Sequence, residues 1–500
     1  MSQAARRVVV VGGGLAGLAA ATVLAERGVE VVLIEKERYL GGRAGSWNDR
    51  LADGTRFQME RGFHGFFRQY KNLRALMRRV DPGLSSLKPL DDYPLLGPGG
   101  ASQSFSKLPT TPILNIAELI RRSPSIRLLD LMKADLPRAG AMLAFDLERT
   151  YLELDGSSAK VFLDGLRFPP EARRMLFEVF AHSFFNPEDD YSAAELLAMF
   201  HYYFTRNPDG LVFDVMRDPF GVVLFEPLER YLRELGVRFA MGSSARAISR
   251  GADGRWRVEV EHNGDLALAE AGLERDGRGV YTRGDAVVLA TTVPALRGIA
   301  AASPHMAKIA ESIQSLDVTS PFAVWRLWLD KPCRADRAPF AGTAGLGILD
   351  NISLYERFEG ESRRWAERTG GSVVELHAYA VPAQMSELEI RADLERGLHE
   401  AYPETREARV VEERFMLRQD CPSFRPGSHA LRPTVETQLE GVKLAGDFVK
   451  LPFPSALMER ATSSGFIAAN QLLERWGRRG VAVEHGPTKG ILPAALARFA

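Results

Sequence analysis

Four consecutive valines, residues 8–11, stop at Gly12-Gly13-Gly14-Leu15-Ala16-Gly17, and a second apolar run, residues 29–34, ends on Glu35. This order of strand, glycine turn, small-residue helix, strand and acid commits the first 35 residues to a βαβ unit on a parallel sheet. It also equips that unit to hold a dinucleotide. Gly12 permits the tight turn, Gly14 lets the backbone approach a pyrophosphate, and Gly17 lets the helix lie against the sheet. The first N–H groups of the helix, at Leu15 and Ala16, have no intrahelical partner and suit phosphate oxygens. Glu35, with Lys36 beside it, is placed to accept hydrogen bonds from a ribose diol. A glycine-rich turn without a ligand is the competing reading of the glycines alone.

The next segment, Glu35-Lys36-Glu37-Arg38-Tyr39-Leu40-Gly41-Gly42-Arg43-Ala44, and two stretches near the other end, Leu444-Ala445-Gly446-Asp447 and Ala456 through Phe466, resemble the FAD-binding signatures of the flavin amine oxidase and carotenoid desaturase superfamily. The resemblance implies FAD. It implies that Gly42 and Arg43 face the flavin's linker, and that Gly446 and Asp447 reach the ribityl chain. The helix opening at Met458 and Ala461 would point at the flavin ring, where a positive helix end favours the reduced anion. Glu60-Arg61-Gly62-Phe63-His64-Gly65-Phe66, with Tyr70, Asn72 and Leu73 after it, is similar to the ζ-carotene-desaturase branch. It is closer still to isorenieratene-synthase-type enzymes, which form aromatic carotenoid rings. Gly62, Phe63 and His64 enter the cofactor-contacting set on that ground. His64 either handles a proton near the flavin or bonds a backbone carbonyl as a structural histidine. Ala245 stands where the superfamily usually has a valine beside the adenine.

The resemblance implies an α/β fold: a Rossmann-like FAD-binding domain of the glutathione-reductase/amine-oxidase type, with an inserted substrate domain of antiparallel sheet plus helices. The FAD part is read as residues 1–100, 225–300 and 431–477. The substrate part is residues 101–224, mostly helical, and 301–430, mostly strand, with strands expected near 322–329 and 373–379. A closing helix is expected at 464–476, and 478–500 reads as a loosely attached C-terminal tail. Phe177, Phe180, Phe184, Phe185, Phe200, Tyr202, Tyr203 and Phe204 read singly as an aromatic core and together as a tunnel for a long apolar substrate.

The 500 residues balance 64 Lys+Arg against 64 Asp+Glu, so no basic field recruits nucleic acid. Cys333 and Cys421 lack metal-ligand spacing and suggest no disulfide framework, which points to a reducing, cytoplasmic setting without a bound metal. No apolar run reaches the roughly 20 residues that span a bilayer. Residues 113–133 mix apolar and basic side chains as an interfacial helix does, and equally as a surface helix pair does. The sequence leaves the oligomeric state open.

For function, the resemblance implies FAD-dependent desaturation of a carotenoid-like isoprenoid by hydride transfer to flavin N5. The branch it favours adds ring aromatisation with a 1,2-methyl shift. The cation left by hydride loss is delocalised along a polyene, so no strong base is required, and no acid–base dyad is evident. Two alternatives stand beside this: a flavin amine oxidase, or oxidase of another hydrophobic molecule, and a non-catalytic lipid-binding module of the same fold. Leu451-Pro452-Phe453-Pro454 suits an apolar roof better than an amine cage.

Overall fold

The computed structural model describes residues 6–492 apart from 91, 101, most of 105–134, 174–182 and 206–212. The helical patterns near 116–132, the basic stretch 113–133, Phe177 and Phe180 fall largely or wholly outside the described residues.

Five parallel strands form the first sheet, in the order Arg238–Met241, Glu30–Glu35, Arg7–Val11, Ala286–Leu289, Val442–Leu444. Its central strand is valine-rich because both faces are covered, and Val8, Val9 and Val10 are fully buried. The helix Leu15–Ala25 has no polar face; every residue in it is buried. It lies between the sheet and the helix Leu457–Arg475, and small residues set that spacing. A Cβ on Gly17 would sit 1.9 Å from the Gly12 carbonyl oxygen, and one on Gly465 2.2 Å from that of Ala16. The chain runs from Arg7–Val11 to Glu30–Glu35 on one side and later fills the other side with Ala286–Leu289. A crevice therefore opens at the carboxyl ends of the two middle strands, where ligands bind in open α/β sheets.

A seven-stranded sheet has the order Val410–Arg418, Phe322–Leu329, Ser372–Ala378, Asn351–Leu354, Phe340–Thr343, Leu95–Leu96, Ser102–Gln103. It is antiparallel except where Phe340–Thr343 runs parallel to Leu95–Leu96. The strand Phe322–Leu329 is buried along its whole length. Trp325, Leu327, Val374 and Leu376 pack on the helix Glu387–Ala401 through Ile390, Leu394 and Leu398. The opposite face, carrying Phe322 and Val324, turns toward the crevice.

Two expectations need correction. The last helix begins at Leu457, next to the Met458 at which the resemblance opens it and seven residues before the Ser464 expected as the start of the closing helix. Its N-cap is Ala456, which offers no side-chain cap, and Leu457 takes φ +44°, so no ordinary start signal marks it. Nor is the stretch after it loose as far as residue 492. Val481 N–H donates to Asn470 Oδ1, Glu484 N–H to Asn72 Oδ1, and Gly490 N–H to the Phe145 carbonyl; His485 stacks on Phe453.

Candidate flavin and substrate site

A cavity of about 470 Å³ begins at the crevice and runs beneath the seven-stranded sheet. Gly12, Gly14, Leu15 and Ala16 line its first end with Glu35, Lys36, Gly42 and Arg43. Gly446, Asp447, Met458 and Ala461 line it from the C-terminal side, and Ala245 from the strand Ser243–Arg250. Gly17 and Gly62 lie off the wall. Gly17 spaces helix from sheet, and Gly62, at φ +103°, passes so close to His377 that a Cβ would stand 2.7 Å from its ring.

The turn is tied across. Gly12 N–H donates to the Ile34 carbonyl and Gly41 N–H to that of Gly13, both at 2.8 Å. Glu35 Oε2 accepts from Gly13 N–H at 2.6 Å and Oε1 from Glu37 N–H at 2.9 Å. Burial raises its pKa, and these N–H donors pull against that rise. Two acceptor directions remain for a diol. Lys36 is largely exposed and pairs with Glu37. Arg43 Nη2 donates to Asp447 Oδ1 at 2.6 Å, joining residues 404 positions apart. Burial pulls the Arg43 pKa down, but Asp447 outweighs it and holds the guanidinium charged. At the start of Leu457–Arg475 the wall carries Leu457, Met458 and Ala461 and no capping side chain, so that helix end faces the cavity uncapped.

These parts fit a flavin dinucleotide: an uncapped helix N-terminus at Gly14, a carboxylate opposite it, and a second uncapped helix end beyond. The other end of the cavity is aromatic. Phe63 stacks on Phe340 with ring centroids 4.5 Å apart, and Phe185, Tyr203, Phe213 and Tyr379 continue the wall. Phe184 and Phe204 join them, whereas Phe200 and Tyr202 lie in the core.

Residues 15–473 match the family described as flavin containing amine oxidoreductase. The chain belongs to that family. It is 47% identical over 495 residues to carotenoid phi-ring synthase of Streptomyces griseus, covering 99% of this chain and 92% of that protein. The phi-ring synthase of Chlorobaculum tepidum is 28% identical, covering 97% of this chain and 91% of that one. Cyclohexylamine oxidase from Brevibacterium oxydans shares the fold, with a TM-score of 0.66 at 14% identity over 95% of this chain and all of that one. The protein is accordingly an FAD-dependent oxidoreductase with the amine-oxidase fold.

His64 lies on the cavity wall with its Nδ1 bonded to the Gly62 carbonyl at 2.7 Å. Burial lowers its pKa to about 4 despite that bond, so the ring is neutral. Glu60 accepts from Phe220 N–H at 2.8 Å. Burial pushes its pKa up to about 8, against the pull of Arg326. The folded protein therefore keeps a proton on Glu60 that the unfolded chain loses near pH 4.5. Stability from this group is full below 4.5 and falls as pH rises to about 8. Glu60→Gln is expected to flatten that decline, compared by urea unfolding at the two ends of the window; an unchanged slope would assign it elsewhere.

Sequence reading missed the groups that carry charge under the sheet. Arg326, Glu375, His377 and Tyr379 meet there, and the alternation Glu375-x-His377-x-Tyr379 within an expected strand was the available signal. A second buried group joins Glu195, Arg432 and Arg460.

Proposed function

We propose that this enzyme converts the β-ring of a carotenoid into an aromatic ring. The observation that carries the reading is the 47% identity, across 99% of the chain, to a carotenoid phi-ring synthase. The aromatic end of the cavity supports it, since a polyene needs an apolar, water-excluding wall. Within this reading Gly12, Gly14, Leu15 and Ala16 hold the pyrophosphate and Glu35 the ribose. Ala245 flanks the adenine, Gly42, Arg43, Gly446 and Asp447 hold the linker, and Met458 and Ala461 face the ring. When bound, FAD supplies the hydride acceptor. The protein positions the ring carbons and shields the cation that hydride loss leaves. Migration of one methyl from the quaternary ring carbon to its cationic neighbour, followed by proton loss, removes the block to aromaticity.

A carotenoid resides in a bilayer, so the reading includes contact with a membrane surface; among the described residues no helix is long and apolar enough to cross one. The likeness to amine oxidases, at 14–16% identity, speaks to fold alone. The test is expression in a host that accumulates β-carotene, with flavin loading checked on the purified protein. The expected pigment has lost two pairs of hydrogens per converted ring and kept all its carbons. Unchanged pigment beside fully loaded protein overturns the reading.

A further inference from the structure

Glu375 and His377, from one face of the strand Ser372–Ala378, and Tyr379, the residue just past its end, project onto the cavity side of the sheet. Glu375 and His377 are buried. Arg326, from the neighbouring strand, places Nε 2.7 Å from Glu375 Oε2, and the Tyr355 hydroxyl donates to Oε1 at 3.0 Å. His377 Nε2 lies 2.7 Å from the same Oε1, and its Nδ1 lies 2.9 Å from the Tyr379 hydroxyl. Asn351 Nδ2 donates to that hydroxyl at 2.9 Å.

The hydrogens can be assigned. Two contacts compete at His377 Nε2: Phe63 N–H approaches as a donor at 3.2 Å, and Glu375 Oε1 lies closer, at 2.7 Å, and calls for a proton on that nitrogen. Burial raises the Glu375 pKa, but Arg326 and then His377 outweigh it and bring it to about 2. An ionised carboxylate only accepts, so the proton on Nε2 goes to Glu375. Nδ1 is then the acceptor and Tyr379 its donor. With Asn351 on one lone pair and its own proton on Nδ1, the Tyr379 oxygen keeps a second lone pair. Tyr379, His377 and Asn351 all line the cavity. The tyrosine is held firmly: Phe185 packs edge-on at 4.7 Å, Asp350 Oδ2 accepts from its N–H, and Ala380 at φ +51° turns the chain beyond it. Among the described residues, the other titratable and charged groups that face this row include Glu60, Arg61, His64, Asp350, Glu359 and Cys421.

We propose that Tyr379 takes the substrate proton in this enzyme and that His377 and Glu375 form the relay that draws it away. The proposal rests on the reading above, in which hydride loss leaves a carbocation. The C–H bond beside the cationic centre breaks and its electron pair becomes the new double bond. The proton joins the Tyr379 oxygen while the tyrosine's own proton passes to His377 Nδ1. The positive charge leaves the substrate and rests on an imidazolium beside Glu375. Tyr379 touches the substrate and is catalytic; His377 and Glu375 position and polarise it.

The experiment compares wild type, Tyr379→Phe and His377→Gln as flavin-loaded proteins. Tyr379→Phe removes one oxygen and leaves the Glu375–Arg326 pair intact. Its kcat on β-carotene is expected to fall about a hundredfold with KM and flavin content unchanged. ¹⁵N-histidine NMR gives a readout without turnover. The His377 signal, identified by its loss in His377→Gln, is expected as the Nε2–H tautomer, with Nδ1 shifting in Tyr379→Phe. An Nδ1–H tautomer in wild type overturns the relay. The expected tautomer together with wild-type kcat in Tyr379→Phe overturns the catalytic role. A loaded wild type that leaves β-carotene unchanged fails the underlying reading, and the proposal falls with it.

Discussion

Gly14→Leu is expected to yield a folded protein that purifies without flavin. Gly14 has φ −77° and ψ 178°, which any L-residue adopts. A Cβ there meets nothing nearer than the Gly42 Cα at 3.9 Å, so the backbone tolerates it. The added side chain projects into the cavity beside the first N–H groups of Leu15–Ala25, where the pyrophosphate would approach. Flavin released per protein should drop at least about tenfold, and the unfolding temperature should fall to that of wild-type apoprotein, because ligand linkage is lost and contacts are not. Neighbouring glycines give the contrast. A Cβ on Gly12 would stand 2.3 Å from the Ala290 carbonyl oxygen at φ +109°, and Gly17 has no room against Gly12. Alanine at either should prevent folding. A fully yellow Gly14→Leu protein would remove Gly14 from the cofactor site.

What the sequence made legible was local. The glycine turn, the valine strand and the alternation at 322–329 each declare themselves within a dozen residues, and the structure shows the corresponding elements. The Arg43–Asp447 pair was reachable only as two motifs at opposite ends, since nothing in either says that they meet. The row Glu375-x-His377-x-Tyr379 is visible in the sequence only as the alternation of an expected strand. Its meaning depends on register: Arg326 stands opposite Glu375 and Asn351 opposite His377, and register is decided between strands. The segment 478–492 looked loose because it is polar and rich in glycine and arginine. Its order comes from hydrogen bonds to Asn72, Phe145 and Asn470, groups hundreds of residues away or on another element.

Glu195→Ala is expected to leave little or no soluble protein. Glu195 sits in the buried helix Ala193–Phe200, 1% exposed, between two arginines that are also buried. Arg432 Nη1 reaches Oε2 at 3.2 Å, Arg460 Nη2 reaches Oε1, and the Tyr151 hydroxyl donates to Oε2. Burial raises its pKa, but Arg460 and then Arg432 outweigh burial and bring it to about 2. Removing the carboxylate strands two guanidinium charges in the core. Stranding even one costs about 3–5 kcal/mol, against about 5–15 kcal/mol for a whole domain. Because the folded pKa is depressed, Glu195 contributes its full stability above about pH 4.5 and loses it as pH falls toward 2. Glu195→Gln keeps the shape, should fold with a lowered urea midpoint, and should show a shallower acid-side decline. A wild-type midpoint in Glu195→Ala would mean that water reaches these arginines. Exchanging the whole cluster for apolar residues, often harmless to buried ion pairs, should fail here as well. Arg460 also donates to the carbonyl oxygens of Ser455 and Asp447, which would be orphaned. The Asp447 backbone carries the side chain that holds Arg43, so such a variant should lose flavin along with stability.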